Sequence, residues 1–334
     1  MEKDLVPPGL TYLADNIIST QNILGTSKEQ SARWAQHLDL PRQAETVFFA
    51  GCGYQYSGQL EKLMSLIRQM DKSVIGAELP MRFARFQKKL GINLPGIYGK
   101  VLSGKSADKV PPLEAAIKVL RKLGIEPGYL GGEEPCCGAP LYQAGLHQKF
   151  RDNAEKAYRK LRSAGVRQVI SIVPYCTNAL QRLFPQYIEG FDLEVKHFLE
   201  IVAESLSSHD LRLPRQVKVT YHDPCQMVRH LSLVDEPRQI LRAIKGIELV
   251  EPEWTKGKWS TCCGGGGGFE AVFPELSQVL AVHRAGELLE TGAEIIVTHC
   301  PGCVMQLREG LRELKAEGVE VLDIAEVIDR AMEK

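Results

Sequence analysis

The chain has 334 residues, 44% hydrophobic and 25% charged, with Lys+Arg and Asp+Glu balanced at 41 each. That length suggests two ordinary domains with sizeable cores, and the balanced charge leaves no basic footprint for nucleic acid. No run approaches a membrane span, and Met1-Glu2-Lys3-Asp4 lacks the apolar core of a secretory leader, so the expectation is a cytoplasmic protein in which disulfides are rare.

Residues 1–45 read as an N-terminal helical arm. Gly9 to Ile18 is apolar at helical spacing, and Lys28 to Leu38 suggests a second helix ended by Pro41. Residues 46–210 read as a first α/β domain. Thr46 to Ala50 is a short buried strand running into Gly51-Cys52-Gly53, and Gln59 to Gln69 an amphipathic helix. Residues 80–110 interrupt the pattern with Arg82, Arg85, Lys88 and Lys89 among Phe83, Phe86 and Leu90, either a solvated helical insertion or a partner-docking surface. Pro111-Pro112 opens a helix over Leu113 to Leu123. A strand around Gly128–Leu130 precedes Cys136-Cys137-Gly138, a helix spans Lys149 to Ser163 before Gly165, and a strand from Gln168 to Val173 leads to Cys176.

Residues 211–334 replay this order as a second domain. A strand over Val217 to Tyr221 meets His222-Asp223-Pro224-Cys225, followed by a helix over Glu236 to Ile244 and a strand over Ile247 to Val250. The pair Cys262-Cys263 and the run Gly264 to Gly268 come next. A helix over Leu276 to Leu289, a strand over Glu294 to Thr298, the run His299-Cys300-Pro301-Gly302-Cys303 and a helix over Val304 to Lys315 follow. A strand over Val319 to Asp323 and a helix over Ile324 to Met332 close the chain. Ala154–Gly165 leading to Cys176 matches Ala281–Gly292 leading to Cys300, and Ala179 then falls on Cys303. The expected fold is therefore α/β: two pseudo-repeated domains, each a small, mostly parallel sheet flanked by helices. In such sheets ligands collect at the carboxyl ends of strands, where these cysteines stand, near the expected domain interface.

In the second copy 36 residues separate Cys225 from Cys262-Cys263, and 36 separate that pair from Cys300-Pro301-Gly302-Cys303. Thiols so spaced in a reducing compartment suggest metal or cluster ligands, the alternative being small buried hydrophobes. Five exceed the four that a tetrahedral zinc or a cubane cluster takes. The first copy keeps Cys52, Cys136, Cys137 and Cys176 as an incomplete site. Gly264, Gly265 and Gly266, unless a mere linker, offer backbone N–H groups to a cofactor. His222 and His299 are the candidates for donating to a sulfur or protonating a leaving thiolate, against satisfied strand-end histidines. Asp223 reads as a turn or cap residue.

These cysteines resemble the cysteine-rich CCG-domain family, which includes heterodisulfide reductase catalytic subunits and the iron-sulfur subunits of glycolate, lactate and glycerol-3-phosphate oxidation systems. The resemblance covers roughly residues 46–334. It implies a noncubane [4Fe-4S] cluster on Cys225, Cys262, Cys263, Cys300 and Cys303 that cleaves a disulfide or similar acceptor. With Ala179 unable to ligate, the first copy is expected to hold a second iron-sulfur cluster, zinc or nothing. No C-x2-C-x2-C-x3-C-P run is present. The chain thus looks like a split subunit, served by a separate ferredoxin-type iron-sulfur subunit and a flavoprotein or membrane cytochrome subunit, and located in the cytoplasm or at the inner membrane face. The alternatives are an electron relay between a flavoprotein dehydrogenase and a quinone-linked partner, and a non-catalytic zinc scaffold.

Overall fold

In the computed structural model, which describes residues 6–63, 110–206 and 210–333, short apolar runs pair into two parallel sheets. The first contains β1 (Thr46–Phe49), β2 (Gln168–Ser171) and β3 (Glu194–His197), in that spatial order. The second contains β4 (Arg212–Tyr221), β5 (Lys245–Leu249), β6 (Ile295–Thr298) and β7 (Glu320–Asp323), ordered β5-β4-β6-β7. Strands β1 and β6 are buried at three successive positions, which is why their sequences are continuously apolar rather than alternating. The helices that position the site or join the halves are α1 (Pro8–Thr20), α2 (Gly51–Gln55), α3 (Pro111–Lys122), α4 (His147–Ser163), α5 (Pro174–Asn178), α6 (Phe198–Ser205), α7 (Glu236–Ala243), α8 (Pro274–Leu289), α9 (Pro301–Glu313) and α10 (Ile324–Ala331). The architecture is α/β with two repeated halves.

The repeat runs further than the cysteines. Glu194-Val195-Lys196-His197-Phe198-Leu199-Glu200 and Glu320-Val321-Leu322-Asp323-Ile324-Ala325-Glu326 each end a strand and open a helix through a capping box. His197 Nδ1 accepts from Leu199 N at 3.2 Å while Glu200 takes the His197 N–H at 2.7 Å. Asp323 accepts from Ala325 N at 2.9 Å while Glu326 takes the Asp323 N–H at 3.1 Å.

Three stretches depart from the sequence expectation. The strand expected at Gly128–Leu130 is a single parallel bridge from Gly128 to Val47, at the edge that β5 occupies in the second sheet. Pro127 offers no N–H to extend a ladder, and Tyr129 N already turns away to Pro41 O at 2.8 Å. The helix expected from Lys28 to Leu38 stops at Ser31 and resumes as a 3-10 turn, Arg33–Ala35. That break buries Trp34, whose Nε1–H donates to Tyr129 OH at 3.1 Å and whose ring meets Phe48 edge-on. Strand β3 and helix α6 went unexpected. Of the helix expected over Gln59 to Gln69, residues 57–63 are helical and those beyond 63 lie outside the described residues, as do those from 80 to 109 in the expected insertion.

One apolar cluster runs through both sheets, taking in Phe48, Val169 and Val195 with Val219, Val297 and Leu322. Helix α3 of the first half packs on α10 of the second, where Lys118 and Lys122 reach Asp329 at 3.5 and 3.0 Å. A smaller cluster lies where α8 and α9 cover Ile296 and Val321. Among the described residues no helix is long and apolar enough to cross a membrane.

Candidate metal centre

Strand β6 delivers its chain extended into Cys300, the N-cap of α9, with Pro301 at the first helical position and Cys303 in the first turn. The CxxC thus straddles a helix N-terminus, where free N–H groups and the dipole favour thiolates. Strand β4 ends at Tyr221 and delivers Cys225 to a turn that widens to π geometry over Met227–Leu231. The Cys262-Cys263 pair lies on irregular chain anchored by Asp223. The Asp223 carboxylate meets Arg238 twice at 2.8 Å and accepts from Gly257 N at 2.7 Å; Ser260 Oγ donates to Asp223 O at 3.3 Å. Asp223 therefore holds the loop that carries the cysteine pair beside the segment that carries Cys225.

These elements bring Cys263, Cys300 and Cys303 into one buried group. The sulfurs of Cys263 and Cys303 are 3.2 Å apart, and a ring nitrogen of His222 lies within 4.8 Å of both. Cys225 and Cys262 are half-buried at its edge, and all nine cysteines are free. Burial, then the Cys300 and Cys263 thiols, push Cys225 up to about 11. Hydrogen bonds from Cys262 and Cys303, then His222, pull Cys263 well below the usual thiol range. Cys262 and Cys303 are pushed up chiefly by that same neighbour. Without a cation the group thus carries its charge on Cys263, between two protonated partners. Ionising the rest in a buried place requires a compensating positive centre. Soft, uncrosslinked donors converging on a helix N-terminus fit a thiophilic metal or cluster.

The first copy forms two thiol pairs. Cys52 Sγ stands 4.0 Å from Cys136 Sγ, and Cys137 Sγ 3.2 Å from Cys176 Sγ. Ala179, at the fifth ligand's register, is fully buried. All four thiols are pushed up: Cys52 by its hydrogen bond with Cys136 and by burial, Cys136 by Cys137. At Cys137 the lowering contact with Cys136 is outweighed by Cys176 and burial, and at Cys176 the lowering contact with Cys137 is outweighed by burial and the neighbouring thiols. The two thiol groups face each other across the halves. A Cβ on Gly53, beside Cys52, would come within 2.7 Å of Pro301 in the CxxC, and Asn178 Nδ2 donates to Gln226 Oε1 at 3.1 Å.

The glycine run is packed rather than loose. Gly264 has φ +82°, its N–H donates to Cys262 Sγ at 3.3 Å, and a Cβ there would sit 2.4 Å from Ser277 O. Gly265 lies against Gln306, leaving 2.7 Å to its Cγ for a Cβ. The Gly266 N–H goes to the Glu270 carboxylate at 2.9 Å, not to a sulfur. His299 Nδ1 lies 2.9 Å from Asp323 Oδ1, and Asp323 also takes the Tyr54 hydroxyl from the first half. The His299 ring packs perpendicular to His197 at 5.1 Å. Its imidazole thus joins a buried network tying the halves together. Sequence reasoning missed Asp323, Tyr54 and the buried Arg284; an arginine among Ala281, Ala285 and Leu288 on the apolar face of α8 was the available signal.

A family model of the cysteine-rich CCG domain matches residues 103–181 and 219–308, one match in each half. The chain is 35% identical over 230 residues to EtfAB:quinone oxidoreductase of Syntrophomonas wolfei, covering 66% of this chain and 32% of that protein. It is 32% identical over 224 residues to a catalogued component of the dihydromethanophenazine:CoB--CoM heterodisulfide reductase of Methanosarcina barkeri, covering 65% of this chain and 54% of the relative. It is 32% identical over 217 residues to a component of the fumarate reductase (CoM/CoB) of Methanothermobacter marburgensis, covering 65% and 42%. The aligned part spans between about a third and about half of the length of these relatives. With one copy of the motif complete and the other lacking its last thiol, the chain belongs to the cysteine-rich CCG-domain family.

Proposed function

We propose that this chain is an iron-sulfur oxidoreductase subunit in which Cys225, Cys262, Cys263, Cys300 and Cys303 hold a noncubane four-iron cluster that reduces a disulfide or similar acceptor. The observation that carries the reading is the convergence of three buried and two half-buried thiols, uncrosslinked, at the N-terminus of α9. When bound, such a cluster supplies one-electron chemistry and a soft Lewis acid for sulfur. The protein's part is to hold the thiolates, offset their charge through the Gly264 N–H and the α9 dipole, and exclude water from Cys263 and Cys303. Cys225 and Cys262 line the accessible side. In the same reading the four first-half thiols take a second iron-sulfur cluster or zinc. Electrons come from a separate ferredoxin-type subunit, with a flavoprotein or membrane cytochrome as further partner. The names of the relatives, a heterodisulfide reductase component among them, support this reading.

A second reading, relay of electrons between a flavoprotein and a quinone-linked partner, is supported by the relative named EtfAB:quinone oxidoreductase. Anaerobic purification with iron and sulfide analysis, then electron paramagnetic resonance of the oxidised protein with and without a thiol, separates them. A signal perturbed by the thiol supports acceptor binding, and an unperturbed one supports relay. A colourless zinc protein overturns both.

A further inference from the structure

His222 and Arg284 form a pair that the complete copy has and the incomplete copy lacks. Arg284 lies fully buried on α8. Its Nε–H donates to His222 Nδ1 at 3.0 Å, and its Nη1 reaches Thr255 Oγ1 at 3.1 Å, Thr261 Oγ1 at 3.2 Å and Glu287 Oε2 at 3.0 Å. A guanidinium donates only, so Nδ1 must be the acceptor and the ring proton stands on Nε2. Nε2 is itself buried with no hydrogen-bond partner. A ring nitrogen of His222 lies within 4.8 Å of the sulfurs of both Cys263 and Cys303, and Nδ1 is already taken. A histidine ligates metal through a bare nitrogen, and this ring has none left to offer. His222 therefore suits a donor to the thiolates better than a ligand.

The repeat supplies a control. His222 precedes Cys225 by three residues, and Phe49 precedes Cys52 by three. Arg284 is in register with Ala157 when Ala281 is set on Ala154. Donor and support have been replaced together, and in that copy all four thiols are held in the protonated range.

We propose that Arg284 is a positioning residue: it holds His222 in the Nε2–H tautomer, whose N–H stabilises thiolate charge at Cys263 and Cys303 and raises the reduction potential of the cluster they hold. This rests on the reading that these thiols hold a redox cluster. Donors to ligand sulfurs favour the reduced, more negative state. Redox titration followed by electron paramagnetic resonance on the full-length protein reads the effect. His222→Leu and Arg284→Met should move the midpoint negative, changing the reduced-to-oxidised ratio at fixed potential about tenfold, with iron content retained. His222→Gln, which keeps an N–H donor, should stay near the parent. Equal midpoints for the parent and His222→Leu at equal iron overturn the proposal.

Nitrogen-15 spectra of histidine-labelled, metal-stripped protein read the tautomer independently. The parent should show His222 protonated on Nε2, and Arg284→Met should lose that preference; a parent protonated on Nδ1 overturns the proposal even where the variants fail to load iron. A parent that binds no iron under anaerobic conditions sinks the cluster reading instead, and the tautomer then decides the positioning role.

Discussion

Arg238 and Asp223 show what a buried charge does when it is fully partnered. Asp223 is 0% and Arg238 8% exposed at the side chain, and Glu251 takes the second Nη2 contact at 2.7 Å. Removing one member strands the other, which typically costs about 3–5 kcal/mol. Arg238→Ala should therefore lower the urea-derived stability by about that much, while the Asp223→Ala/Arg238→Ala double variant should lose clearly less than the sum of the singles. A strictly additive cycle would show that the pair does not act as a unit. At this scale the cysteines were legible, because thiols carry their chemistry in their spacing. Arg284, Asp323 and Tyr54 were not, because their partners come from distant segments: Arg284 meets His222 across 62 positions, and Tyr54 meets Asp323 across 269. A lone buried arginine marks itself only as an exception to an apolar helix face.

Elements were legible where hydrophobic period and caps agreed, as in α4 and α9, and failed where a tertiary contact overrode them, as at Trp34. Strand β3 escaped because it has one exposed and one half-buried position among its four, with Glu194 and Lys196 breaking the apolar run. Two glycines test how far local geometry decides. Gly264 sits at φ +82° against Ser277 O, so Gly264→Ala should destabilise by about 2 kcal/mol through strain and displaced packing. Gly286, inside α8 with open space at its Cβ, should gain about 0.5–1 kcal/mol on substitution by alanine. Thermal unfolding of both variants checks the opposite signs.

The β3–α6 junction carries a pH dependence. Burial, then His299, holds His197 well below the ordinary histidine value of 6.5. Its folded pKa is depressed, so the unfolded chain binds a proton near pH 6.5 that the folded chain refuses. The neutral ring's contribution is full above that pH and is lost as pH falls through it, by about 1.4 kcal/mol between pH 7.5 and 5.5. His197→Asn keeps a capping side chain and should lose that increment of slope in urea midpoints measured at the two pH values. Equal slopes in parent and variant would remove His197 as the cause.

At the scale of the molecule, the sequence repeat made two α/β halves and their facing cysteines legible, but not how tightly the halves are joined. The junction is made by non-local contacts: α3 on α10, Tyr54 to Asp323, Gly53 against Pro301, and a core cluster continuous through both sheets. Elements that share one core should unfold together. The three tryptophans allow a direct test, because Trp34 in the first half is 1% exposed while Trp254 and Trp259 in the second are 78% and 82% exposed. Indoles already in water change their emission little on unfolding, so fluorescence reports chiefly on the first half. Cys263 and Cys303, buried in the second half, become accessible to a thiol reagent only when that half opens. In the metal-stripped protein, urea curves read by Trp34 emission and by pulse labelling of Cys263 and Cys303 should coincide in midpoint and slope. Cys303 labelling at lower urea than the fluorescence change would mean that the second half opens alone, and the shared core would then be too weak to make the two thiol groups one cooperative structure.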